Sequence, residues 1–90
     1  MKRKIVVSLL TSEQEFQQMQ AADARATAAR LGLDVEVIFA ENNAIQQIHQ
    51  LYRHVHAPEA ERPSAIVIEV VSRDGMERLA RNALKAGITC

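Results

Sequence analysis

Ile5-Val6-Val7-Ser8-Leu9-Leu10-Thr11-Ser12-Glu13-Gln14-Glu15-Phe16 is the stretch on which the reading of this 90-residue chain turns. Its first six residues are β-branched or apolar apart from Ser8, the pattern of a strand covered on both faces, as strands of parallel sheets are. Thr11 and Ser12 then offer helix caps. Ser12 and Glu15 have capping-box spacing, in which each side chain satisfies a backbone N–H that the helix leaves unpaired. The first strand is therefore expected at the centre of a sheet, and the first helix to begin near Glu13.

Outward from that stretch the chain alternates. Phe16, Met19, Ala22, Ala26 and Ala29 follow the helical period and are read as the inner face of the first helix, with Gly32 in the left-handed position that ends many helices. Val35-Glu36-Val37-Ile38-Phe39-Ala40 reads as the second strand, and the charge on Glu36 moves it toward an edge. Glu41-Asn42-Asn43 forms a turn and cap. A second helix carries Ile45, Ile48, Tyr52 and Val55 on one face and leaves Gln46, Gln47, Gln50 and Arg53 to water. The polar residues 56–63, with Pro58 and Pro63, read as an exposed loop. Ala65-Ile66-Val67-Ile68-Glu69-Val70-Val71 is a third strand, unusual for the charge on Glu69. Ser72 or Asp74 then caps a third helix whose apolar face is Met76, Leu79, Ala80, Ala83 and Leu84, closed by Gly87. Ile88-Thr89-Cys90 reads as the start of a fourth strand.

Strand–helix–strand crossovers within one sheet are right-handed in about 98% of cases. With the second strand at an edge, the expected architecture is a three-layer α/β unit whose parallel sheet has the order 2-1-3, a single βαβαβα domain over residues 1–90. Ligands of such sheets sit beyond the carboxyl ends of the strands, where neighbouring connections diverge to opposite faces. Here that crevice falls between the loop starting at Thr11 and the loop starting at Glu69.

Bulk composition narrows the function classes. Eleven Lys and Arg balance eleven Asp and Glu, so charge makes no case for nucleic acid or an anionic membrane. One cysteine, Cys90, excludes an internal disulfide. The basic start is followed by only six residues of mostly apolar chain, short of the roughly 7–15 of a secretion signal. His49, His54 and His56 lack the i, i+4 pairing that sets two imidazoles on one helical face, so no metal is expected. No nucleophile–base pair or phosphate-cradling glycine loop is present, so neither enzyme chemistry nor a cofactor is expected. A phosphoacceptor receiver would need an acidic pair after the first strand to hold magnesium, where this chain has Thr11-Ser12.

Taken together, residues 8–16, Ala28-Ala29-Arg30-Leu31-Gly32, Phe39-Ala40-Glu41-Asn42-Asn43 with Ile48, Ala65-Ile66-Val67-Ile68 and Ala83-Leu84-Lys85-Ala86-Gly87-Ile88 resemble part of the amino-terminal lobe of type I periplasmic sugar-binding proteins and of lactose-repressor-like ligand-binding domains. The resemblance implies a flavodoxin-like half domain that binds a small sugar or polyol. It implies as partner a membrane transporter or, in the regulatory alternative, a dimeric cytoplasmic sensor. Location would be periplasmic in the first case and cytoplasmic in the second. By position, Glu13 matches the family's polar sugar contact and Phe16 its second aromatic, while Glu15 stands where many members have the first aromatic. Sugar C–H faces pack on aromatic rings and hydroxyls need fixed polar partners, which gives this pairing its physical reason. Thr11 and Glu69 complete the expected site. The resemblance also implies that 90 residues hold half of one lobe, and the third strand would then present an edge through which copies of the chain associate.

Overall fold

A computed structural model describes residues 3–90. Three strands, β1 (Lys4–Leu9), β2 (Asp34–Phe39) and β3 (Ala65–Ile68), alternate with three helices, α1 (Glu15–Leu31), α2 (Ala44–Val55) and α3 (Met76–Lys85), and a short 3₁₀ turn, Glu59–Glu61, precedes β3. The strands form one parallel sheet in the order β2-β1-β3. Register runs from Lys4 opposite Asp34 to Leu9 opposite Phe39 on one side of β1, and from Ile5 opposite Ala65 to Ser8 opposite Ile68 on the other. The expected order 2-1-3 is thus the observed one, with β1 central.

Period-two alternation divides the sheet residues between two helical layers. Val6 and Ile66 face α2 and α3, where they join Leu51, Val55, Leu79, Ala83 and Ile88 in the buried core. Ile5, Val7, Val35 and Val67 face the other way, toward Ala24, Ala28 and Leu31 of α1. Glycine punctuates the chain as expected: Gly32 ends α1 at φ 71°, its N–H reaching the carbonyls of Ala28 and Ala29. The fourth strand begins where expected, since Ile66 N–H donates to the Thr89 carbonyl at 2.7 Å and Thr89 N–H to that of Ser64 at 3.1 Å.

Several expectations need correction. α1 starts at Glu15, not near Glu13, and no capping box forms: its N-cap is Gln14, with no side-chain cap bond. The Ser12 N–H is instead held by Glu41, a partner from another loop. α1 also presents a different face to the sheet. Gln17, Ala21 and Ala28 are buried, whereas Phe16 (64% exposed), Met19, Ala22, Ala26 and Ala29 face outward. In α2 the core residues are Leu51 and Val55, Ile45 is exposed, and Gln47, expected in water, is fully buried. In α3 Leu79 and Ala83 are buried and Leu84 is exposed. Neither Ser72 nor Asp74 caps it, because the N-cap is Gly75 at φ 80°. β3 stops at Ile68, although the Glu69 N–H still donates to the Ser8 carbonyl at 2.8 Å. Pro63, in the loop expected to be exposed, is buried.

Candidate ligand-binding site

At the carboxyl end of the sheet three loops meet, residues 10–14 after β1, 40–43 after β2 and 69–75 after β3. Since α1 lies on one face and α3 on the other, the connections leaving the neighbouring strands β1 and β3 diverge there, as at a switch-point crevice. Side chains tie the three loops together.

Glu69 braces the first loop to the third. One carboxylate oxygen, Oε1, accepts the Leu10 N–H at 3.0 Å and the Gln17 side-chain amide at 3.4 Å. A charge at the end of a half-buried strand costs free energy unless donors meet it, which accounts for the glutamine on the inner face of α1. Glu69 is therefore tied to the first loop, and among the described residues neither a hydrogen bond nor an ion pair with Arg73 engages its second oxygen, Oε2.

Gln47 is the second brace. Its amide nitrogen donates to Ser8 Oγ at 3.0 Å and to the Glu69 carbonyl at 2.8 Å, while its amide oxygen accepts the Val71 N–H at 3.0 Å. Ser8, the one hydroxyl in a central strand, is thereby satisfied at full burial.

Glu41 is the third. It accepts the Ser12 N–H at 3.0 Å and the Thr11 hydroxyl at 3.2 Å, and Thr11 Oγ1 in turn accepts the Glu13 N–H at 3.1 Å. Glu41 and Asn42 both adopt left-handed backbone, φ 53° and 55°, a conformation uncommon for residues other than glycine and held only where surroundings determine it. The Asn42 N–H to the Leu10 carbonyl, 2.7 Å, is part of that determination. Bonds from the Ser12 side chain first and its backbone second, against a small opposing effect of burial, hold the Glu41 carboxyl below its ordinary range.

The four residues singled out from the sequence thus take different stations. Thr11 is buried, 3% exposed, with its hydroxyl engaged on both sides. Glu13 lies exposed in the first loop, and Phe16 stands on the first turn of α1 with its ring in water. Glu69 is half-buried beneath the loop. Asn43 caps α2 as expected, accepting the Gln46 N–H at 2.9 Å. Sequence reasoning missed the two glutamines, Gln17 and Gln47. Their signal was indirect, because Ser8 in the central strand and Glu69 just past the end of β3 each require a polar partner from a covering helix.

Among the described residues no group of three or more His, Cys, Asp or Glu could hold a metal ion. The histidines are dispersed: His54 Nε2 lies 3.0 Å from Glu36, the His56 ring lies tilted against that of Tyr52, and His49 is exposed. Desolvation raises the Cys90 thiol pKa, away from thiolate reactivity. No described helix is long and apolar enough to cross a membrane.

No family model and no curated protein matches the chain by sequence. Solved structures do match it by fold. An ABC transporter periplasmic solute-binding protein from Actinobacillus succinogenes, solved with bound D-allose, superposes with a TM-score of 0.86 at 22% identity, covering 98% of this chain and 30% of that one. A solute-binding protein from Mycobacterium smegmatis with bound glycerol gives 0.83 at 22% identity over 98% and 29% of the two chains. The Caulobacter myo-inositol binding protein, bound to myo-inositol, gives 0.80 at 22% identity over 94% and 28%. The chain spans less than a third of the length of each of these proteins. They are binding and transport proteins rather than enzymes, and what the likeness shows is the fold: residues 3–90 form an α/β unit of the periplasmic-binding-protein type.

Proposed function

We propose that this chain is a partial lobe of a sugar- or polyol-binding protein that serves an ABC transporter, and that its ligand meets the loop between β1 and α1. The observation that carries the reading is the pairing of a water-exposed aromatic ring, Phe16, with an exposed carboxylate, Glu13, on a loop braced from beneath. Phe16 packs on the C–H face of the ring and Glu13 accepts from hydroxyls. Thr11 positions Glu13, since its hydroxyl holds the Glu13 backbone. Glu69 fixes the loop through Oε1 and offers Oε2 to a ligand hydroxyl. The fold shared with proteins that hold D-allose, glycerol and myo-inositol supports a neutral polyhydroxylated ligand.

A ligand touched from one wall keeps much of its surface in water, so the affinity expected of these 90 residues is on the order of millimolar. The open side of β3 also supports association of two copies. Among the described residues Thr89 bonds to the start of β3 only, and by alternation the N–H and C=O of Ile68 face the same outer side with no described strand beside them.

Calorimetric titration of D-allose, ribose, myo-inositol and glycerol into the chain tests the reading. One or more should bind, Phe16→Ala and Glu13→Ala should each weaken that ligand by about five- to tenfold, and melting temperatures should stay unchanged because both side chains are exposed. Equal binding by both variants, or no heat with any of the four, would overturn it.

A further inference from the structure

α2 and α3 pack side by side on one face of the sheet, and an open groove in two adjoining parts lies along them. Its first part, about 550 Å³, is lined by Ile48, Tyr52, Gly75 and Arg78, together with His56 and Asn82. Its second part, about 450 Å³, shares His56 and Asn82 and adds Arg62 and Lys85. The floor is apolar and aromatic: the Tyr52 and His56 rings lie 5.2 Å apart, and Asn82 donates to the Tyr52 hydroxyl at 3.1 Å, fixing the ring. The rim is cationic. Among the described residues the ion pairs are Lys4 with Glu36, His54 with Glu36 and Arg81 with Glu77. Arg62, Arg78 and Lys85 take part in none of them. The guanidinium of Arg62 is turned inward to the carbonyls of Ala57 and Ala86, whereas Arg78 and Lys85 are exposed.

Three cations and no acid are among the side chains lining the two parts of the groove, in a chain of zero net charge; Glu77, next to Arg78 in sequence, pairs with Arg81. Complementarity of charge chooses partners and register more than it adds raw affinity. The groove is elongated, with its apolar part at one end and Arg62 and Lys85 at the other, which suits an extended segment better than a compact ion.

We propose that the α2–α3 groove docks an acidic peptide segment of a protein partner, seating an apolar side chain over Ile48 and Tyr52 and carboxylates against Arg78 and Lys85. The proposal is independent of the sugar reading, because none of Thr11, Glu13, Phe16 and Glu69 lines the groove.

The probe is a fluorescently labelled peptide of alternating glutamate and leucine, titrated by anisotropy against its lysine–leucine counterpart. The acidic peptide should bind, and its affinity should fall several-fold as salt rises from about 50 to 300 mM, since exposed charges are screened over that range. The double variant Arg78→Glu, Lys85→Gln should lose at least about tenfold in affinity with an unchanged circular dichroism spectrum. Arg25→Glu, on exposed α1 and away from the groove, should bind as the parent does. Equal binding of both peptides, no binding of either, an equal loss in Arg25→Glu, or displacement by millimolar inorganic phosphate would overturn the proposal.

Discussion

The two faces of the sheet are built differently. On the side of α2 and α3, large side chains interlock: Leu51, Ile66, Leu79 and Ile88 are essentially without exposure, and Val6 packs among them. On the side of α1 the helix contributes mainly alanines, and it covers β1 and β2 but leaves Val67 of β3 57% exposed. One face is a finished core, and the other is a shelf with room for more chain or a second copy. Folding free energy is thus concentrated on the side away from Phe16, whose helix is the lightly anchored one.

The sharpest way to break this comparison is to cut the same kind of side chain from each face. Leu51→Ala removes a fully buried residue among large neighbours and should destabilise by about 2–5 kcal/mol. Val67→Ala should cost less than about 1 kcal/mol, because much of its surface is already in water. Urea unfolding monitored by circular dichroism measures both, and similar losses would mean that the α1 face is sealed in solution, for instance by a second copy. Val67→Lys sharpens the point: on an open face a charge should leave stability nearly intact, and a large loss in urea unfolding would mean that the position is covered.

How much of this was legible in the sequence depends on what each residue had to satisfy. The order 2-1-3 could be read because its determinants are local: two-sided apolar strands, a charge on β2 and glycines where helices end. The edge charge found partners as a surface charge can, Glu36 lying 3.2 Å from Lys4 and 3.0 Å from His54. The helix faces were less legible. α1 contains overlapping stripes of alanine, so apolar period alone does not fix its rotation, and a polar residue, Gln17, decides it by reaching Glu69. For the same reason Gln47 looked like a solvent residue until Ser8 claimed it. Hydrophobic periodicity records burial of apolar surface and is blind to buried polar pairs.

Gln47 tests that lesson with the next largest effect. Gln47→Leu keeps the side chain's size but strips partners from the Ser8 hydroxyl, the Glu69 carbonyl and the Val71 N–H. Leaving buried polar groups unpaired costs about 1–3 kcal/mol, so denaturant midpoints should fall even though hydrophobicity rises. Ser8→Ala made together with Gln47→Leu should recover part of the loss, since it removes one orphaned group. A Gln47→Leu variant as stable as the parent would mean that the amide does not hold the loop after β3.

The smallest effect belongs to Glu41, and it reads the site loop directly. Its carboxyl is held below the ordinary value of 4.5 by bonds from the Ser12 side chain and backbone and from the Thr11 hydroxyl. A folded-state pKa below the unfolded one gives a contribution that is fully present above the unfolded value and is lost as pH falls through the folded one. The bracing should therefore be complete at neutral pH and fade only below about pH 4.5, weakly in energy because the carboxylate is in water. Glu36 titrates in the same direction: partial burial would raise its pKa, but Lys4 and His54 outweigh that and lower it. A global melting curve would merge the two groups. The amide proton of Ser12 separates them, because it donates to Glu41 alone, so its chemical shift in an NMR titration should move with a midpoint below 4.5 and stop moving in Glu41→Gln. A midpoint at or above 4.5 would mean that the loop carrying Glu13 is not tied to β2 in solution, and the preorganisation assigned to the ligand site would fail with it.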